Sequence, residues 1–310
     1  MGKAAHTHVN RLLHMGGLDG VQGRDCLNNA RGQVLRYLSV CSGIEAATVA
    51  WGPLGWTPVA FSEVERFPCA VLAHHYPDVP NVGDMTKIDG RKYRGTVDLL
   101  VGGTPCQDFS VAGKRAGLSG ERSGLALDFI RLACEITPRW ILWENVPGCL
   151  STNAGIDFGS FAQALADCGY HLAYRILDAQ YFGVPQRRRR VFIIGYLGDW
   201  RPPAAVFFGS SKRHDVLLQE EVQRGLLPSF KGVGGGTSLE RLSHVVFTGG
   251  QFRKLTPLEW ERCFGFPDGY TLIPGASDSA RYKALGNSMA VPVMRWIGER
   301  IQKWENMYAD

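Results

Sequence analysis

No stretch of this 310-residue chain approaches the roughly 18 uninterrupted apolar residues of a membrane-spanning helix. The start, MGKAAHTHVN, has no apolar centre of the kind a secretion signal carries, so the expectation is a cytoplasmic protein. The eight cysteines, at 26, 41, 69, 106, 134, 149, 168 and 263, include no pair closer than 15 residues. Zinc-ribbon and CxxC redox chemistry therefore have no ligand set, no metal is expected, and most of these cysteines read as buried thiols. A GxGxxG turn is missing too, which removes the main signature of a nicotinamide oxidoreductase. Neither sign of charge dominates, with 34 Lys and Arg against 29 Asp and Glu and a formal net charge of +5. Such a balance permits a polyanionic partner without requiring one.

What the chain does have is a repeating rhythm, and its hydrophobic content of 45% is enough for a large core. Between 36 and 200, short apolar runs alternate with segments of helical spacing. The runs LRYLSV, TPVAFS, VDLLVGG, RWILWE and RVFIIGY have the length of buried parallel strands. IEAATVAW, FPCAVLAHHY, LALDFIRLACEI and FAQALADCG space their apolar residues as helices do, the last closing on Gly169. This predicts an α/β fold with a doubly wound, Rossmann-like sheet. Residues 1–35 read as an appendage and 201–265 as a small, loop-rich region without regular signals. Residues 266–310 return to complete the first domain. Thr256, Pro257 and Glu259 form the pattern of a capping box, and an amphipathic helix is expected from about 290 to 304.

Open parallel sheets bind ligands outside the carboxyl ends of their strands, so the residues after each run are where chemistry belongs. After the first run comes a small-residue turn with Ser42, Gly43 and Ile44, and Glu63 follows Gly43 by 20 residues. An acid at that distance suits a nucleoside ribose, although a plain strand-to-helix turn reads the same way. Cys106 stands in the polar turn GGTPCQDFS, and Glu144 ends RWILWE. If those strands are neighbours, a thiol and a carboxyl face one pocket; otherwise the cysteine fills core space. In PQRRRRVFIIG, period-two alternation puts Gln186, Arg188 and Arg190 on one face and Arg187 and Arg189 on the other.

Taken in order, LSVCSGIEAA, GGTPCQDFS, WENVPG, PQRRRRVFIIG, LTPLEWERCFGFPDGY and YKALGNSMAVP resemble the motifs of the DNA (cytosine-5)-methyltransferases, particularly solitary phage and bacterial members. The resemblance spans about 36–200 and 253–302. It implies methyl transfer from S-adenosylmethionine, leaving S-adenosylhomocysteine, to C5 of cytosine in double-stranded DNA. Cys106 would be the nucleophile that adds to C6, Glu144 would meet ring N3, Arg190 would hold O2, and Arg188 would steady the loop. The target base would be flipped out of the duplex. Ser42, Gly43, Ile44, Glu63, Val64, Asp84, Met85, Asn287 and Ser288 would bind the cofactor. Gln107, Ser110, Lys114 and Arg115, on a closing loop, would contact DNA, as would Lys212 and Arg213. A monomer is expected.

The chain departs from the family pattern in two places. Cys41 and Glu45 stand where an aromatic residue and a second glycine are usual. The segment between Tyr196 and Phe252 is short for a region that reads bases, and within 212–241 five cations, Lys212, Arg213, Arg224, Lys231 and Arg241, face four acids, Asp215, Glu220, Glu221 and Glu240. Two alternatives follow: the same chemistry on transfer RNA, or a DNA-binding protein with impaired turnover.

Overall fold

Apolar runs rich in Val, Ile, Leu and aromatic residues become strands where both of their faces can be covered. A computed structural model describes residues 34–105, 124–209, 245–248 and 251–308. Val34–Trp304 forms one unit. The five runs are strands β1 (Arg36–Val40), β2 (Thr57–Ser62), β3 (Leu99–Gly102), β4 (Trp140–Asn145) and β6 (Arg189–Leu197), with β5 (Tyr170–Asp178) between the last two. Among the described residues they make one six-stranded sheet in the order β2, β1, β3, β4, β6, β5.

The first four strands in that order run parallel, but β6 is antiparallel to both β4 and β5. The parallel expectation for RVFIIGY is therefore corrected. Only Ala179–Arg188 separates β5 from β6, too little for the helical crossover that a parallel return needs. The sequence reading also missed β5 itself. As the edge strand it buries few positions, so YHLAYRILD gives no apolar run.

Alternate residues of the central strands enter opposite cores. Tyr37, Leu99, Val101, Trp140, Leu142, Phe192 and Ile194 belong to one. Leu38, Leu100, Ile141, Trp143, Val191 and Ile193 belong to the other. Helices α3 (Leu125–Ile136) and α4 (Ile156–Asp167) cover the second core. The first takes α1 (Ala46–Trp51), α5 (Arg201–Phe208), α6 (Pro257–Phe264), α7 (Asp278–Asn287) and α8 (Val291–Met307). Helix α2 (Arg66–His75) sends Val71 into the first core.

The segment after 200 is more regular than expected. Pro202 and Pro203 sit in the first turn of α5, where a missing N–H costs nothing, and the β-hairpin β7 (Val245–Thr248) and β8 (Gln251–Lys254) precedes α6. The capping box forms: Thr256 Oγ1 accepts from the Glu259 N–H at 3.3 Å, and Glu259 Oε2 accepts from the Thr256 N–H at 2.7 Å. Helix α8 reaches back to the start of the fold, Trp51 Nε1 donating to the Met294 carbonyl at 2.8 Å.

The cysteines correct the expectation of mostly buried thiols. Cys149 and Cys263 are buried, whereas Cys41 and Cys69 are half-buried. Cys134 on α3 and Cys168 just after α4 form a disulfide, their Cα atoms 5.4 Å apart. Packing of the two helices, not proximity in sequence, brings that pair together.

Candidate active site

The turn after β1 alternates its backbone hand. Cys41 (φ 49°), Gly43 (φ 56°) and Glu45 (φ 62°) all lie in the left-handed region. It is anchored from both neighbours: the Ser42 N–H donates to the Ser62 carbonyl at 3.1 Å, and Ser42 Oγ donates to the Ser39 carbonyl at 2.9 Å. The Gly43 N–H donates to Glu63 Oε2 at 2.8 Å, while Glu63 Oε1 accepts from the N–H groups of Val64 and Glu65 at 2.8 and 2.7 Å. The carboxylate thus stands at the rim of the turn, beside α2. Next to it the Val64 side chain is 69% exposed, an apolar group with nothing covering it.

Asp84 completes this rim. Its Oδ1 accepts from the Thr86 N–H and hydroxyl at 3.0 and 2.8 Å, bonds that hold its carboxyl below the usual range. Met85 is buried, with its sulfur 3.5 Å from Cys41 Sγ. Asn81, which the sequence reading passed over, ties the two halves together. Its Oδ1 accepts from the Glu63 N–H at 3.0 Å and the Gly83 N–H at 3.2 Å, and its Nδ2 donates to the Glu63 carbonyl at 3.1 Å.

A cleft of about 430 Å³, open to solvent, lies over the carboxyl ends of β1, β3 and β4. Ser42, Gly43, Glu144, Asn287 and Ser288 line it, so the structure brings together residues from three distant parts of the chain. Ile44 does not belong to its wall; the side chain is fully buried in the core and its carbonyl accepts from the Tyr270 hydroxyl at 2.8 Å. Gly103 is needed where it stands, because a Cβ there would meet Glu144 Oε2 and Met289 Cε at 3.0 Å each.

At the far end of the cleft, Glu144 Oε1 lies 3.1 Å from Arg190 Nε. Burial raises the Glu144 carboxyl above its ordinary pKa, against the opposing pull of Arg190 and Arg188. Burial also draws Arg188 down to about 9. Its Nη2 donates to the Ser288 carbonyl at 2.8 Å, and its guanidinium sits 5.1 Å above the Phe264 ring. Arg188 therefore pins the segment that carries Asn287 and Ser288 to β6. Gln186 and Arg188 are buried while Arg187 and Arg189 are exposed, as the alternation predicts. Thr104, two residues before Cys106 in sequence, is fixed by β4: Trp143 Nε1 donates to its hydroxyl and Asn145 Nδ2 to its carbonyl, both at 3.0 Å.

Cys106, Gln107, Ser110, Lys114, Arg115, Lys212 and Arg213 lie outside the described residues. Among the described residues no cluster of His, Cys, Asp and Glu could hold a metal ion, and no helix is long and apolar enough to cross a membrane. The sequence reading counted Glu45 only as a departure from the family pattern, yet it lines the cleft. Its signal was faint, a charged residue in a turn of small ones.

A relative from Shigella sonnei, the Type II methyltransferase M.SsoII, is 30% identical over 88% of this chain and 81% of its own length. A protein of Escherichia phage P1 described as a DNA N-6-adenine-methyltransferase is 32% identical. That match covers 87% of this chain but 61% of the phage protein, so the chain spans about three fifths of that relative's length. Among solved structures, the Dnmt2 methyltransferase of S. pombe superposes with a TM-score of 0.63 at 18% identity, covering 88% of this chain and 99% of that one, and shows the fold alone. The model of the C-5 cytosine-specific DNA methylases matches residues 35–231 and 221–303, nearly everything that builds the sheet and the cleft. With that match and the Shigella relative, the chain belongs to the C-5 cytosine-specific DNA methylases.

Proposed function

We propose that this chain methylates C5 of cytosine in double-stranded DNA, S-adenosylmethionine supplying the methyl group when bound. The observation that carries the reading is the Glu144–Arg190 pair at the end of the cleft, beside the Gly103–Thr104 turn that leads to Cys106. Attack by C5 on a methyl donor is slow because it breaks the ring's conjugation. In this reading the Cys106 thiolate adds to C6, which makes C5 nucleophilic. Glu144, whose raised pKa suits a proton-sharing carboxyl, meets N3 so that negative charge does not build up. Arg190 holds O2, and Arg188 steadies the return of Asn287 and Ser288. Once C5 carries the methyl group, loss of its proton expels the thiolate and frees the product.

The residues at the other end of the cleft fit the cofactor. An exposed Val64 suits the face of a purine, and the Glu63 carboxylate has one lone pair left, on Oε2, for a ribose hydroxyl. Asp84 suits the adenine amino group, and Gly43, Asn287 and Ser288 suit the methionine part. The target base leaves the stack to reach Glu144, at a cost of a few kcal/mol. Residues 201–265 are read as the DNA-recognising region of a monomer that acts in the cytoplasm of a bacterial or phage-infected cell.

The test is transfer of a labelled methyl group to duplex DNA and to transfer RNA, with the modified base identified by nucleoside analysis. Label in 5-methylcytosine from DNA is expected; label in RNA or in N6-methyladenine would overturn the proposal. Replacing Cys106 with serine should abolish transfer while S-adenosylmethionine still binds.

A further inference from the structure

Two carboxyl groups, Glu45 and Glu144, line the cleft, and Glu63 stands beside it against the turn after β1. Glu144 is paired with Arg190, and Glu63 accepts three backbone N–H bonds. Glu45 differs. It is 1% exposed and caps α1 from a left-handed backbone (φ 62°, ψ 58°), a conformation strained for a residue with a Cβ. Ser39 Oγ donates to its Oε1; the Thr48 N–H and hydroxyl donate to its Oε2 at 3.2 and 2.5 Å. Ser39 and Glu45 both line the cleft.

Among the described residues, the titratable groups around Glu45 bring no compensating charge. From β1, Tyr37 reaches it through the Thr48 hydroxyl at 2.7 Å. From the turn after β2 comes Glu63, which disfavours ionisation further. Tyr76, following α2, and Tyr270, from the stretch after α6, are neutral phenols that feel its charge. Burial, outweighing the hydrogen bonds from Ser39 and Thr48, raises its pKa to about 7.

Building on the proposed cofactor, we infer that Glu45 is a specificity-determining residue that senses the charge of the ligand in the cleft and favours the cationic methyl donor over the neutral product. S-Adenosylmethionine carries a sulfonium that S-adenosylhomocysteine lacks, and an ionised carboxylate in the wall of the cleft is the missing counter-charge. The donor complex holds Glu45 ionised, with a proton released on binding; the product complex leaves it protonated.

The experiment is calorimetric binding of S-adenosylmethionine and of S-adenosylhomocysteine to the full-length protein without DNA, between pH 6 and 7.5. Two buffers of different ionisation enthalpy count the protons released. With half-ionisation near pH 7 in the free protein, donor affinity should rise roughly 5- to 10-fold across this range, with product affinity far flatter. Glu45→Gln keeps the cap and its hydrogen-bonding shape. It should remove the extra slope, abolish the proton release and narrow the preference for donor over product. Equal slopes for the two ligands in the wild type would overturn the inference on their own, even if the variant does not fold, as would a variant with the wild-type slope. Failure of both ligands to bind at any pH would instead overturn the cofactor reading on which the inference rests.

Discussion

A carboxyl group takes its chemistry from its neighbours, and Glu45 and Glu144 in the cleft wall and Glu63 beside the turn have three kinds of neighbour. Glu63, held by N–H groups of Gly43, Val64 and Glu65, is the one shaped to accept from a ligand hydroxyl. Glu63→Ala should weaken S-adenosylmethionine binding by about 1.5–3 kcal/mol, the worth of a charge-assisted bond, and calorimetry reads that loss directly. Glu45 makes a prediction of the opposite sign. Its pKa is raised from 4.5 to about 7. The stability it contributes is therefore complete below its unfolded pKa and is lost as pH rises through 7. Linkage sets that loss at about 3 kcal/mol by pH 8. Thermal scans of Glu45→Gln against wild type should coincide near pH 4.5 and show the variant more stable at pH 8. Neither value of φ nor burial can be read from CSGIEAA, so Glu45 looked like a lapse from a glycine pattern. What makes it informative is the fold of the turn around it.

At the level of elements, legibility follows how locally each is specified. The capping box around Thr256 was readable because three residues carry the whole signal, and both reciprocal bonds form. Glu259 also pairs with Arg253 at 2.8 Å, which with the Thr256 bonds holds its pKa down to about 2. Thr256→Ala should cost about 1 kcal/mol, measured as a lower urea midpoint with an unchanged slope. Elements defined by distant partners were less legible. Edge strand β5 has no apolar run because, among the described residues, one of its long sides meets no strand, and the direction of β6 depends on the length of its link to β5. Arg131 on α3 illustrates the same limit: it donates to the Met85 and Ile88 carbonyls at 3.0 and 2.8 Å, so α3 holds the segment after Asp84. Sequence spacing alone gave α3 its helix but not this clamp.

On the scale of the whole molecule, the cleft is assembled from both ends of the sequence. Gly298 lets α8 lie against α1, since a Cβ there would meet the Trp51 ring at 2.5 Å, and Arg188 fastens the Asn287–Ser288 segment to β6. The stretch between α5 and β7 lies outside the described residues, and the match to the phage P1 protein extends over 462 aligned positions against 310 residues here, so that relative carries long insertions. If the stretch serves recognition, its removal should leave the cleft intact and weaken the hold on DNA. Deleting 212–241 takes out five cations and four acids, nearly neutral in sum, so any loss reflects specific contacts more than overall charge. The expected result is a DNA dissociation constant raised at least tenfold, with S-adenosylmethionine affinity within about twofold of wild type. The salt dependence of DNA binding should also flatten, by about 0.9 in logarithmic slope for each phosphate that the shortened protein no longer neutralises. Equal weakening of DNA and cofactor would mean that the stretch supports the fold instead, and recognition would then have to come from the turns at the mouth of the cleft.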